Sequence, residues 1–239
     1  MAEIQSTRHE KPLVIVGAGG HGREVLGILK HDGRGYEVVG FVDDDDQLQD
    51  TELDSKPVLG ALGWLAEHAP EYRAVVAIGD NRVRKHVATA LCAAGVDFAS
   101  VVAQDAIISP FATIGEGAMI FNGAVVNTGA IIGAHAILNL HATASHDTYV
   151  GAYAHLASGV RMAGGSGVGE GCELGAGAVV NPGVKVGDWA VIGSGAAVVS
   201  DIPSKAVAVG VPAKVVTNKL AGRSDSGAVE QQTGTSQTA

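Results

Sequence analysis

Aromatic side chains are scarce in this 239-residue chain: 4% of residues, against 46% hydrophobic residues in all. A core built from large rings is thereby excluded, and the interior has to be assembled from Ala, Val, Ile, Leu and Gly. Cysteine is nearly absent. Cys92 and Cys172 stand alone, without the paired spacing of a zinc knuckle, and two thiols in so long a chain make no disulfide framework. Basic residues are outnumbered, 16 against 25 acidic, for a net charge of −9 with no strongly basic run. That argues against nucleic-acid binding by bulk electrostatics and leaves local phosphate sites open. No stretch approaches the roughly 18 uninterrupted apolar residues of a membrane span. Residues 1–11 are polar and lack the basic start and apolar stretch of a signal peptide. A soluble cytoplasmic protein is the expectation, with residues 1–11 and the Ser-, Thr-, Gln- and Gly-rich segment 217–239 read as disordered ends.

What the chain does have is a period of six. Ile108, Ile114, Ile120, Val126, Ile132 and Leu138 open a series of large aliphatic residues that runs without insertion to Val198 and drops in size only at Ala144. Four residues after each comes a second, mostly small residue: Ala112, Ala118, Ala124, Ala130, Ala136 and Ala142, later Thr148, Ala154, Val160, Ser166, Cys172 and Ala178. A helix needs apolar spacing near 3.6 and an ordinary strand a period of 2, so this pattern is neither. It predicts a hexapeptide parallel β-helix, each hexad a short strand and a corner, with the large and small residues pointing into a narrow core. Three hexads close a coil, coils stack at about 4.8 Å, and about five coils bury a continuous core that no single repeat could bury alone. Cys172 takes a small inward slot and reads as core filler.

The first hundred residues follow another pattern. A buried strand over residues 12–16 runs into Gly17-Ala18-Gly19-Gly20-His21-Gly22 and then into a helix carrying Val25, Leu26, Ile28 and Leu29. Glycines allow a tight turn, and the free N–H groups of a helix's first turn attract phosphate. A strand over 36–42 ends in the acidic run Asp43 to Asp46. Gly17, Gly19 and Gly22 with an acid about 20 residues on spell the dinucleotide fingerprint, although such turns bind other nucleotides too. A helix over 62–68, a strand over 74–78 ending at Gly79-Asp80-Asn81, a helix through Val83, Val87, Ala90 and Leu91 and a strand over 98–102 complete the unit. It is too short for two mononucleotide-binding halves, which disfavours a complete NAD site. Asp43 and Asp44 read equally as a solvated loop or as contacts to a ribose or base.

A short Rossmann-like domain opening on that glycine turn, joined to an unbroken hexapeptide helix that ends in Val209-Gly210-Val211-Pro212-Ala213-Lys214, resembles one family. It is the sugar O-acyltransferase family of the sialic acid O-acetyltransferase type, which includes acetyl-CoA-dependent N-acetyltransferases of nucleotide-linked 4-amino-4,6-dideoxy sugars such as the bacillosamine precursor and perosamine. The likeness covers roughly residues 12–216. It implies an α/β plus all-β chain, with a Rossmann-like nucleotide-sugar-binding domain over 12–102 and a left-handed β-helix over 103–216. It implies acetyl-CoA as cosubstrate, no metal, a nucleotide-activated amino sugar as acceptor for surface polysaccharide or glycan synthesis, and a homotrimer with active sites between subunits. Residue by residue, the family's base and following acid fall on His146 and Asp147, the latter one methylene shorter than the Glu common there. His155 matches a histidine near the acetyl thioester, and Asn139, Gly164, Gly210, Pro212 and Lys214 fall on acetyl-CoA-binding positions. Gly19, Gly20, His21 and Gly22, with Asp43 and Asp44, would hold the nucleotide sugar. His21 reads equally as a structural turn residue. O-acetylation of a sugar is the alternative chemistry.

The period checks this independently. Gly164 lies 18 residues after His146 and should stack one coil above it, whereas His155 and Asn139 belong to another face. Groups on different faces of one prism meet only if prisms pack side by side. A rival is metal binding: His141 and His146 resemble two neighbouring ligands of the γ-class carbonic anhydrases, which share the β-helix, but position 105, where a third ligand belongs, is Asp. His135 and His141 otherwise read as corner residues, and a non-enzymatic binding module is the remaining reading.

Overall fold

The computed structural model describes residues 11–31 and 36–216. The segments expected to be disordered, apart from Lys11, lie outside the described residues. In chain order the first unit comprises β1 (Leu13–Val16), α1 (Gly20–His31), β2 (Val38–Val42), β3 (Glu52–Leu53), β4 (Lys56–Pro57), α2 (Leu62–Glu67), β5 (Arg73–Val76), α3 (Asn81–Ala93) and β6 (Asp97–Phe98). The parallel sheet has the order β2-β1-β5-β6, with β3 and β4 a separate antiparallel pair that the glycine and acid pattern gave no sign of. All four residues of β1 are buried, as a central parallel strand with both faces covered requires. One side of α1 sinks Val25, Leu26, Ile28 and Leu29 into that core, and Lys30 and His31 in its last turn suit the negative end of its dipole. Asp80 caps α3 by accepting from the N–H groups of Arg82 (2.8 Å) and Val83 (2.9 Å).

The second unit is a left-handed parallel β-helix of about six turns. One of its three faces holds the rungs Val101–Val102, Met119–Ile120, Ile137–Leu138, His155–Leu156, Glu173–Leu174, Val191–Ile192 and Val207–Val209, and the other two faces hold six and five rungs. Each rung pairs with the one 18 residues on, as in Met119 with Ile137 and Ile137 with His155. The structure corrects the expected strand over 98–102. Phe98 pairs with Ala74 in the first sheet, whereas Val101 and Val102 pair with Met119 and Ile120, because Val102 stands six residues before Ile108 and is the first inward residue of the series. At the far end Val191 pairs with Val207, two residues short of a full coil, which is why the strict period stops at Val198. A hairpin of Val207–Val209 with Lys214–Val216 closes that end.

The inward alternation forms one buried cluster from Val102 to Ala208. Polar atoms in the small slots satisfy themselves locally: Thr148 Oγ1 donates to Ser145 O (2.8 Å), Ser166 Oγ to Ala163 O (2.6 Å) and Cys172 Sγ to Gly187 O (3.0 Å). Burial pushes the Cys172 thiol up to about 11, so it is packing rather than chemistry. The α/β unit lies on the first face, where the outward residues Val101, Met119 and Ile137 join Leu13, Ile15, Val25 and Leu26 in a single cluster. Each such side chain withdrawn from water contributes about 2 kcal/mol. On its other side, α3 meets the corner between the third and first faces, with the Arg82 guanidinium 4.9 Å over the Trp189 ring and Lys85 paired with Glu170.

Candidate functional site

From Gly117 to Gly195 each hexad turns its corner through a left-handed residue, and most of these are glycine, since a Cβ is disfavoured there. Asp147 is an exception, with φ at 58°. Non-glycine residues in this region are strained and gather at functional sites. The corner swings the short Asp147 side chain back toward its neighbour, so that Oδ2 lies 3.0 Å from His146 Nδ1. The missing methylene relative to Glu therefore costs no reach. Bonding at Nδ1 leaves Nε2 as the free nitrogen of an exposed imidazole. Gly164 lies directly over that nitrogen: a Cβ built there would collide with His146 Nε2 and Cε1. The expected stacking of Gly164 on His146 is what the structure has, and it leaves an open space at Nε2.

The glycine turn sits at the carboxyl ends of β1, β2 and β5. Gly17 takes φ +99°, and a Cβ at Gly22 would run into Gly17 O, so both are needed for the turn and helix to close on each other. Gly19 and Gly20 differ: a Cβ on either would meet no atom within 4 Å, and both are exposed. They face open space beside the first-turn amides of α1, which suits a phosphate. Asp43 and Asp44 have local partners. Asp43 Oδ2 accepts from Ala18 N–H at 2.8 Å and Asp44 Oδ1 from Leu62 N–H at 2.9 Å, so the acidic run braces the glycine turn and the start of α2.

His21 points from the turn onto the β-helix. Its ring stacks on Phe121 (centroids 5.1 Å apart) and lies 6.2 Å from the ring of His155. Both histidines have a buried Nε2 without a hydrogen-bond partner. Each is held down to about 4, chiefly by burial and then by the positive charge of Arg84, so both are neutral at ordinary pH. His135 is held down to about 4 for the same two reasons, stacks on Tyr153 (5.2 Å) and meets the edge of Phe98 (4.7 Å); it is a packed corner residue, as expected. Arg84 is the residue that the sequence reading missed. It is completely buried and burial lowers it to about 10, which still leaves it charged at neutral pH.

Asn139 lies on the first face with His155, and its Oδ1 accepts from Leu140 N–H at 2.6 Å. His155 and His146 stand on different parts of the prism, the one on the face under the α/β unit and the other at the opposite corner. Gly210, Pro212 and Lys214 lie in the closing hairpin, coils above Gly164. A single chain thus brings together His146, Asp147 and Gly164, and separately His21 and His155, but not the two groups with each other. Among the described residues no three His, Cys, Asp or Glu side chains gather as metal ligands, and Asp105 is bonded to Asn122 (2.8 Å). No described helix is long and apolar enough to cross a membrane.

Both units of the chain match known protein families. The PglD N-terminal domain family matches residues 12–91, and the bacterial transferase hexapeptide family (six repeats) matches residues 165–199. The chain is similar in structure to PerB from Caulobacter crescentus, solved in complex with CoA and GDP-perosamine: 36% identity over 87% of this chain and 98% of that one, TM-score 0.80. The acetyltransferase domain of PglB from Neisseria gonorrhoeae, solved with acetyl coenzyme A, is 32% identical over 86% of this chain and 99% of that one, TM-score 0.81. WeeI from Acinetobacter baumannii is 26% identical over 86% of this chain and all of that one, TM-score 0.79. The chain belongs to this acetyltransferase family. A search of curated proteins finds no match.

Membership bears out the family and fold expected from the glycine turn and the hexads. Arg84 lay outside that expectation. A signal was present, since an arginine three residues before Val87 and seven before Leu91 shares the face of α3 that they bury, and has no place there unless it is bonded. Its partners, however, are backbone carbonyls of distant corners, which no spacing in sequence reveals.

Proposed function

We propose that this protein transfers the acetyl group of acetyl-CoA to the 4-amino group of a nucleotide-linked 4-amino-4,6-dideoxy sugar, in the cytoplasm, for surface polysaccharide or glycan synthesis. The observation that carries the reading is the His146–Asp147 pair with a glycine-only space above Nε2. A side chain at position 164 would collide with the His146 ring, so glycine there keeps Nε2 accessible to an amine. His146 Nε2 takes the proton of the amine as its nitrogen attacks the carbonyl carbon. Asp147 fixes the ring and stabilises its charged form. The Gly164 N–H faces the developing oxyanion, a kind of contact worth several kcal/mol. The carbon–sulfur bond then breaks, and the sulfur leaves as the CoA thiol with the proton from His146.

Asn139, His155 and the loop of Gly210, Pro212 and Lys214 line the CoA side, and Gly19, Gly20, His21 and Gly22 take the nucleotide-sugar phosphates. These groups join His146 when a second chain packs beside the first, in a homotrimer with shared sites. Ile107, Phe111, Ile131 and Tyr149, exposed on the two faces and the corner around His146, support such packing.

The test is thiol release from acetyl-CoA with UDP-, dTDP- and GDP-linked 4-amino-4,6-dideoxy sugars, comparing wild type with His146→Ala. Turnover on one acceptor that falls by at least ~100-fold in the variant is expected. Silence across the set, from folded protein that binds CoA, refutes N-acetylation and turns attention to sugar hydroxyls.

A further inference from the structure

All five N–H donors of the buried Arg84 meet oxygen. Nε donates to His135 O (2.9 Å), Nη1 to Ile78 O (2.7 Å) and Gly79 O (3.0 Å), and Nη2 to Asn81 Oδ1 (2.7 Å) and Tyr153 O (2.7 Å). None of these acceptors is a carboxylate. A buried cation with no carboxylate bonded to it is expensive, and an apolar residue of similar volume often serves stability as well or better. Stability alone therefore accounts poorly for an arginine here.

The acceptors belong to two bodies. Ile78, Gly79 and Asn81 form the turn after β5, and a Cβ on Gly17 of the neighbouring glycine turn would lie 3.0 Å from Ala77 O and 3.1 Å from Ile78 Cγ1. His21 is carried by that glycine turn. His135 and Tyr153 are stacked corners of the β-helix, one coil apart, and His155 is two residues beyond Tyr153. The guanidinium thus ties the turn after β5, which adjoins the glycine turn of His21 and whose Gly79 backbone bonds His155, to the β-helix corner beside His155, and both histidines have a buried Nε2 without a partner.

We infer that Arg84 is a positioning residue that sets the spacing of His21, on the nucleotide-sugar side of the proposed site, and His155, on its CoA side. The inference rests on the acetyltransferase reading for its ligand and on the geometry for the rest. The charge of Arg84 works with burial here, since both keep the two imidazoles neutral. Glu24, 3.6 Å from His21 Nδ1, and Asp80, beside Arg84, act in the opposite sense.

Two substitutions separate charge from shape. Arg84→Lys keeps the charge but cannot span five acceptors, and Arg84→Met removes both. Arg84→Lys should lower acceptor turnover by about tenfold or more, as misplacement of this kind does. In a His155→Ala background it should cost little further, because its route of action is gone. Losses that multiply in the double variant would overturn the inference. Imidazole NMR on the full-length protein needs no acceptor. Wild type should give one signal each for His21 and His155, with midpoints near 4. Arg84→Lys should split or broaden those signals, and Arg84→Met should also raise the midpoints. Unchanged signals in folded variants would refute the clamp whatever turnover does. Wild type inactive on every acceptor would instead remove the acetyltransferase reading and leave the NMR test standing. If Arg84→Met does not fold, Asn81→Ala, which withdraws one acceptor, should split the same signals.

Discussion

As the pH falls from 7 to 4.5 an unfolded chain takes up a proton at each histidine, because the ordinary imidazole value is 6.5, whereas His21, His135 and His155 in the folded protein are held down to about 4. Through that window the unfolded state binds more protons, so stability is lost as the pH falls below about 6.5, and the loss levels off below about 4. One unit of depression corresponds to about 1.4 kcal/mol, which gives on the order of 2–3 kcal/mol for each group at pH 4.5. The three surround one arginine and titrate as a coupled set, so their joint effect is several kcal/mol rather than a strict sum. That is a large share of the ~5–15 kcal/mol that holds a typical domain folded. The exposed carboxylates Asp54 and Asp97 do not confuse the result: hydrogen bonds from Arg23 and Lys11 hold them below the ordinary value of 3.8, so their contribution is lost only below this window. The assay is thermal unfolding at fixed ionic strength between pH 7.5 and 4.5, for wild type and His155→Phe. A midpoint that drops steeply below pH 6.5, and less steeply in the variant, is expected. A flat midpoint down to pH 5 would refute the reasoning, because the histidines would then be finding protons in the folded state.

Three further outcomes are expected. Gly164→Ala should fold normally but lose about 100-fold or more in turnover, because its methyl displaces the His146 ring; thiol release and a thermal melt separate the two effects. Gly22→Ala should destabilise by about 1–3 kcal/mol, since the methyl overlaps Gly17 O, whereas Gly20→Ala, with open space around its Cβ, should keep wild-type stability and raise KM for the nucleotide sugar; urea titration and steady-state kinetics report each. Co-refolding His146→Ala with His155→Ala subunits should recover part of the activity if each site draws on two chains, and no recovery from confirmed mixed oligomers would count against shared sites.

The β-helix was legible because its signal is redundant. Sixteen successive hexads repeat one packing constraint, so a single exception such as Ala144 does not hide it. Its ends were less legible, since the first rung at Val102 is followed by the series only after the chain has left Phe98 in the other sheet, and the last coil is two residues short. His146, Asp147 and Gly164 could be placed relative to one another because corners 18 residues apart must stack. The bracing roles of Asp43 and Asp44 depend on N–H groups 25 and 18 residues away, and the Arg84 bonds reach 51 and 69 residues along the chain. Local pattern carries no information about such contacts.

The hexad also divides labour in a way that bears on assembly. Two of its six positions point inward and are fixed by packing, so chemistry is left to the corners and to the outward residue of each rung. On the first face the α/β unit of the same chain covers the outward residues Val101, Met119 and Ile137, all fully buried. On the other two faces none of the described residues covers Ile107 (66% exposed), Ile131 (47%) or Tyr149 (48%), and Phe111 stands 77% exposed on the corner column that carries Asp147 two coils above. An apolar strip of this kind on a chain of net charge −9 is unfavourable in water unless another surface meets it. The strip flanks His146, and His21 and His155, which the proposed mechanism joins to it, lie beyond reach on the far side of the prism. On the proposed reading, side-by-side packing of a second copy would cover the strip and bring His21 and His155 to His146 in the same step. The unburied faces and the divided site therefore call for the same remedy, and that is why the mixed-subunit experiment tests both.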